Sequence, residues 1–170
     1  SKDIDNEGNS TAILRLNTNI DNCYMDFVYT LAADDYMVNM SVKPHNMPMA
    51  LAQNMAALEM QWNQLVPQQE KGRKFEEKYA QLQYMVVGGD VEKLSEVKAD
   101  RKKESARLKW IGYKDQFFST VLISEDGFES SQLESTPQKA NSGYIKEYKT
   151  STSLPFDITG KKSTDLRYYL

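Results

Sequence analysis

A hydrophobic period of two constrains this chain more than any other feature. From Cys23 to Leu31, the residues Cys23, Met25, Phe27, Tyr29 and Leu31 alternate with Tyr24, Asp26, Val28 and Thr30. After Ala32-Ala33-Asp34-Asp35, the set Tyr36, Val38, Met40 and Val42 alternates with Met37, Asn39, Ser41 and Lys43. A helix would scatter both sets around its circumference, whereas a strand sends them to opposite faces. Two such runs joined by an aspartate turn predict an antiparallel hairpin. Pro44 and Pro48 are expected to end its second strand, because proline brings no N–H to a ladder.

The same period returns at Leu58, Met60 and Trp62, and again at Ala80, Leu82, Tyr84 and Val86. One apolar and one polar face per strand fits antiparallel sheets with one wet side. Phe117–Ile123 is apolar on both faces, which predicts a central strand covered on each side. Gly88-Gly89-Asp90 and Glu125-Asp126-Gly127 are expected turns. Shorter strands are expected at Phe128–Ser135, Tyr144–Thr150 and Leu166–Leu170, and Ser1–Ser10 is expected to fray. A single segment breaks the pattern. In Glu70–Tyr79 the apolar residues are Phe75 and Tyr79, four apart, after Pro67 and beside a Glu70–Lys74 pair. This spacing predicts a short surface helix lidding the sheet with its two aromatic rings. The fold class is therefore all-β, an antiparallel sandwich with one short helix, and 170 residues suffice to bury a core without staples.

Composition narrows the chemistry. A net charge of −3 does not favour a polyanionic partner, so nucleic acid is not expected. No apolar run approaches the roughly 18–20 residues of a membrane-crossing helix, and the chain shown is expected to be soluble. Ser1 opens it without a basic or apolar leader, so it is expected to be cut from a longer protein. Cys23 is the one cysteine and His45 the one histidine, which excludes an internal disulfide and any multi-histidine metal site.

No catalytic, cofactor-binding or metal-binding residues are assigned. His45 stands beside Pro44 and is expected to be solvated; Cys23 shares a face with Met25 and Phe27 and is expected to be a small buried hydrophobe. The adjacent carboxylates Asp34-Asp35 and Glu125-Asp126 fit turn chemistry, and Glu76-Glu77 a wet helix face. Lys98–Lys109 holds six Lys/Arg against Asp100 and Glu104, a local excess of +4. It is expected to be a solvated excursion or a long hairpin tip, with contact to anionic lipid headgroups as the functional alternative. Trp62 is expected in the core, and Trp110 as an anchor for the Phe117–Ile123 strand.

The stretch Lys109-Trp110-Ile111-Gly112-Tyr113-Lys114-Asp115-Gln116-Phe117-Phe118-Ser119-Thr120-Val121-Leu122-Ile123 resembles the periplasmic domain of YidC-type membrane protein insertases. Trp62 followed by Gln69–Tyr79 resembles the Bacteroidetes branch, and Thr164–Tyr169 resembles the strand toward the end of that domain. The resemblance implies a galactose-mutarotase-like β-supersandwich outside the inner membrane, of which residues 11–170 would be the C-terminal part. It further implies a non-enzymatic role in inserting and folding inner-membrane proteins, beside the Sec translocon and its SecD/SecF partner. The family's substrate groove lies in membrane helices outside this sequence, so no partner-contact residue carries over and no cofactor is implied. The competing expectation from the residues themselves is a carbohydrate-binding sandwich, which requires an exposed aromatic platform at Trp110 or Trp62.

Overall fold

In the computed structural model, which describes residues 1–169, the alternating segments become strands of two antiparallel sheets. The strands are β1 (Lys2–Ile4), β2 (Ser10–Asn17), β3 (Tyr24–Leu31), β4 (Met37–His45), β5 (Ala57–Pro67), β6 (Gln81–Val86) and β7 (Val91–Lys93). They continue with β8 (Asp100–Glu104), β9 (Leu108–Lys114), β10 (Ser119–Pro137), β11 (Tyr144–Pro155) and β12 (Thr164–Tyr169); helix α1 spans Arg73–Tyr79. The larger sheet has the order β1-β2-β3-β4-β12-β10-β9-β6-β7, and the smaller runs β5-β11-β10-β8. Strand β10 belongs to both. Its first part pairs with β9 and β12, and its second part, from Glu129, pairs with β8 and β11.

The sheets pack face to face around Leu82, Leu108, Ile111, Phe128, Leu133 and Ile145, all essentially inaccessible. Trp62 of β5 stacks on Tyr113 of β9 with ring centroids 3.8 Å apart, and meets Tyr168 of β12 edge-on. The Tyr113 hydroxyl donates to the Trp62 carbonyl at 2.8 Å, leaving Thr150 Oγ1, 2.7 Å away, to donate to the phenol oxygen. A buried hydroxyl so satisfied costs the core little. A smaller cluster of Cys23, Met47, Phe156 and Ile158 closes one end.

The predicted hairpin forms in register, with Phe27 opposite Val42 and Tyr29 opposite Met40. Pro44, however, does not end its strand. It lies within β4 opposite Met25. Strand β12 stops at Thr164, opposite Val42, and the Pro44 carbonyl faces Gly160, so no ladder bond is lost there. Likewise Glu125-Asp126-Gly127 is a bulge inside β10, where the register shifts between Ile123 and Phe128, rather than a turn between elements. Phe117 and Phe118 lie in the tight turn before β10 and are exposed, while Asp115 Oδ1 accepts both their backbone N–H groups. The two-faced coverage expected for Phe117–Ile123 therefore holds only from Val121 onward. Lys2–Ile4, in the segment expected to fray, pairs with Ser10–Ala12 of β2. Of the last expected strand, Leu170 lies outside the described residues.

Helix α1 forms, with its inward side reversed from the expectation. Phe75 and Tyr79 pack on each other at 4.9 Å and are exposed, so they do not lid the sheet. The helix is fastened by charge instead. Glu76, 1% exposed, accepts the backbone N–H groups of Gln69 and Glu70. Arg73 pairs with Glu77 at 2.6 Å and donates to the Gln138 and Tyr144 carbonyls. Glu70–Lys74, the expected pair, is not among the salt bridges of the described residues, and Glu76 is not on a wet face.

Candidate interaction surfaces

The larger sheet outreaches the smaller. Cross-strand pairing puts Leu14 beside Phe27 and Leu16 beside Met25, on the face that carries Met40 and Val42 into the core. Four strands cannot cover nine, and the face of β2 is left open: Leu14 is 55% and Leu16 52% exposed. Ile4, Tyr29, Leu31 and Val38 border an apolar cleft of about 320 Å³ toward the other end of β2. Beyond β5 the smaller sheet has no further strand among the described residues, so an eleven-residue edge ends it. Its outward side chains Glu59, Gln61, Asn63 and Leu65 are exposed. Unpaired edge N–H and C=O groups are templates for another strand. The opposite edge, β8, is short and reads Asp-Arg-Lys-Lys-Glu, a composition that discourages pairing.

That same β8 corrects the reading of Lys98–Lys109. The segment is structured over most of its length, as the edge strand β8 and the start of β9, with Leu108 fully buried. Three of its six positive charges meet acids of β10: Arg101 with Glu134 at 3.0 Å, Arg107 with Glu129 at 2.8 Å and Lys109 with Glu125 at 3.5 Å. Arg101 and Glu134 in particular face each other across the β8–β10 ladder. The local excess counted along the chain is thus partly offset in space.

Near the far end of the larger sheet, β2, β3 and β4 assemble a polar cluster that alternation alone did not forecast. Arg15, Asp26 and Lys43 are successive cross-strand neighbours, as are Tyr24 and His45. Arg15 clasps Asp26 through Nε at 2.7 Å and Nη2 at 2.8 Å. This bidentate contact holds the Asp26 carboxyl below the ordinary carboxylate range, and Asp26 is buried despite its charge. The guanidinium also lies 3.7 Å from the Tyr24 ring, whose other neighbour is the His45 imidazole, stacked at 4.3 Å. His45 Nε2 stands 3.7 Å from Asp26 Oδ2. The imidazole is thus part of a packed strand surface, not a solvated loop.

Cys23 is buried in the small cluster, with Sγ donating to the Asn46 carbonyl at 3.3 Å. Asp35 accepts the Tyr36 and Met37 N–H groups, which is turn chemistry as expected. Trp110 pairs with Ile123 across the ladder and its ring lies 3.4 Å from where a Gly112 Cβ would be, on the face opposite Ile111 and Tyr113. Lys146 is a buried cation missed from sequence; its ammonium donates to the Ala80 and Glu96 carbonyls, and burial lowers its pKa. No helix among the described residues is long and apolar enough to cross a membrane.

Comparison with known proteins finds similar sequences. The family model described as the YidC periplasmic domain matches residues 2–170. A membrane protein insertase YidC from Parabacteroides distasonis is 48% identical over 164 residues, covering 96% of this chain and 25% of the relative. Its counterpart from Azobacteroides pseudotrichonymphae is 49% identical over 157 residues, covering 92% of this chain and 25% of the relative. A more distant one from Chlorobium luteolum is 28% identical over 116 residues, covering 66% of this chain and 19% of that protein. The chain spans about a quarter of the length of the curated relatives it matches most extensively. With the family model matched over nearly all of its length, this chain belongs to the YidC periplasmic domain family.

Proposed function

We propose that residues 11–170 form the C-terminal part of the periplasmic domain of an inner-membrane insertase, and act without catalysis. Their role is to scaffold the insertion and folding of inner-membrane proteins and to contact the Sec translocon, its SecD/SecF-type partner or the emerging substrate. The observation that carries this reading is the unfinished smaller sheet with the eleven-residue edge of β5, together with the open face of β2 on the larger sheet. An incoming extended segment gains backbone hydrogen bonds along such an edge whatever its sequence. That suits a machine with many clients. An open sandwich also fits half of a supersandwich whose other half covers the exposed leucines. Trp62 is committed to the core, which removes one of the two platforms a sugar-binding module needs.

A photocrosslinker at Gln61 or Asn63 in the full-length insertase tests the proposal, with Glu92 on β7 as the control position. Crosslinks from β5 to a nascent single-span protein or a translocon subunit, absent from β7, are expected. Deleting this domain part should also remove the crosslinks to those partners or impair insertion. Unlabelled β5 positions together with undiminished insertion after the deletion would overturn it.

A further inference from the structure

Beside the Arg15–Asp26–His45 cluster lies a polar cleft of about 540 Å³, open between the end of β4 and the loop from Thr159 to Ser163. Lys43 and His45 line it from the strand, Lys161 and Ser163 from the loop, and Asn22 and Asn46 from the adjoining turns. No carboxylate is among its lining residues. The acids nearby are already engaged. Asp26 is clasped by Arg15, and Asp126 holds Lys162 at 2.6 Å. Asp165 accepts from Ser41 and Ser163, and Asp157 is committed to its own loop through the Thr159 and Lys162 N–H groups. Lys43 and Lys161 therefore have no ion-pair partner among the described residues, and both line this cleft; Lys43 also borders a neighbouring one with Glu125 and Asp165, acids held by Arg167 and by Ser41.

The wall bearing Lys161 is held close to the strand. Gly160 has φ +75°, and a Cβ there would stand 2.4 Å from the Pro44 carbonyl oxygen, so the loop is seated directly on β4. Two lysines without an ion pair, lining one polar cleft from opposite elements, attract an oxyanion, and lysines serve phosphate as point charges. We propose that this cleft binds a phosphate-ester group, with Lys43 and Lys161 as its charged donors and the Tyr24-stacked His45 ring as its polar floor. The shared chemistry is a phosphoryl oxyanion, from either a soluble phosphate ester or a phospholipid headgroup. This inference is independent of the β5 edge and stands or falls separately from the insertase role.

The test is titration of the isotopically labelled chain with inorganic phosphate and with glycerol phosphate, at ionic strength held constant with chloride, following the Gly160 amide and His45 ring signals. Saturable shifts are expected at both. Lys161→Gln or Lys43→Gln should weaken phosphate binding by about tenfold, the loss of one charge-assisted contact. Lys162→Gln, which removes a cation already paired outside the cleft, should leave it unchanged. Co-sedimentation with phosphatidylglycerol vesicles, competed by inorganic phosphate and absent with phosphatidylcholine alone, assigns the headgroup as the source; binding of glycerol phosphate without co-sedimentation assigns a soluble ester. Shifts that fail to saturate with either phosphate compound, or that persist unchanged in the Lys43→Gln/Lys161→Gln protein, would overturn the proposal.

Discussion

Asp26 lies on the outer face of β3, yet it is buried, because Arg15 closes over it and the Tyr24–His45 stack flanks the pair. Its folded-state pKa lies below the unfolded one, chiefly through the Arg15 hydrogen bonds. A carboxylate so depressed adds stability that is fully present above its unfolded pKa and disappears as pH falls through the folded value. Asp26→Asn should therefore cost about 1–2 kcal/mol at neutral pH, the Arg15 partner being half exposed and screened. Urea denaturation of both proteins down a pH series should show that gap closing in acid, below the ordinary carboxylate range. Asp26 is readable in the sequence as a strand residue on the polar face, but not as buried. Its burial depends on Arg15 and Lys43, which stand opposite only once β2 and β4 take their registers.

Strand β10 illustrates what period and punctuation convey about an element. The apolar residues of Phe117–Ile123 and Phe128–Ser135 announce two strands, and, apart from Phe117 and Phe118 in the preceding turn, both exist as parts of one nineteen-residue strand. Glu125-Asp126-Gly127 between them carries the composition of a turn, but the chain only bulges there and crosses from one sheet into the other. Gly127 makes that crossing at φ +83°, where an added Cβ would stand only 2.4 Å from the Arg107 side chain and 3.2 Å from the Leu108 carbonyl oxygen. Gly127→Ala combines backbone strain with crowding, and should lower stability by about 1–3 kcal/mol in thermal or chemical unfolding. Helix α1 teaches a related lesson. Its place is legible from the break in alternation, while its inward face is not, because Phe75 and Tyr79 advertise burial more loudly than Glu76 and Arg73. The anchoring role of those charged residues depends on backbone groups at Gln69, Glu70, Gln138 and Tyr144, which no local pattern reveals.

For the whole molecule, the all-β class and most strand positions follow from alternation, and the family from the Trp110–Ile123 and Glu70–Tyr79 stretches. Strand order does not follow, since pairing between distant segments leaves no mark on either one alone. Strand β2 is missing from the sequence expectations altogether, although Ala12, Leu14 and Leu16 alternate with Ile13 and Arg15. Nor does alternation say whether an apolar face will find a cover. Leu14 and Leu16 remain half exposed, so replacing both with glutamine should change stability by no more than about 0.5 kcal/mol. The same substitutions should reduce binding of a hydrophobic dye to the folded chain, and an unchanged fluorescence signal would mean that the open face lies elsewhere.

The position of β12 carries a consequence for how such a molecule is made. The last strand in the sequence is inserted between β4 and β10, and it alone ties the β1–β4 meander to the remainder of the larger sheet. A chain delivered amino end first thus cannot join the β1–β4 meander to the rest of the larger sheet until Thr164–Tyr169 arrives, and β12 acts as the keystone of that sheet.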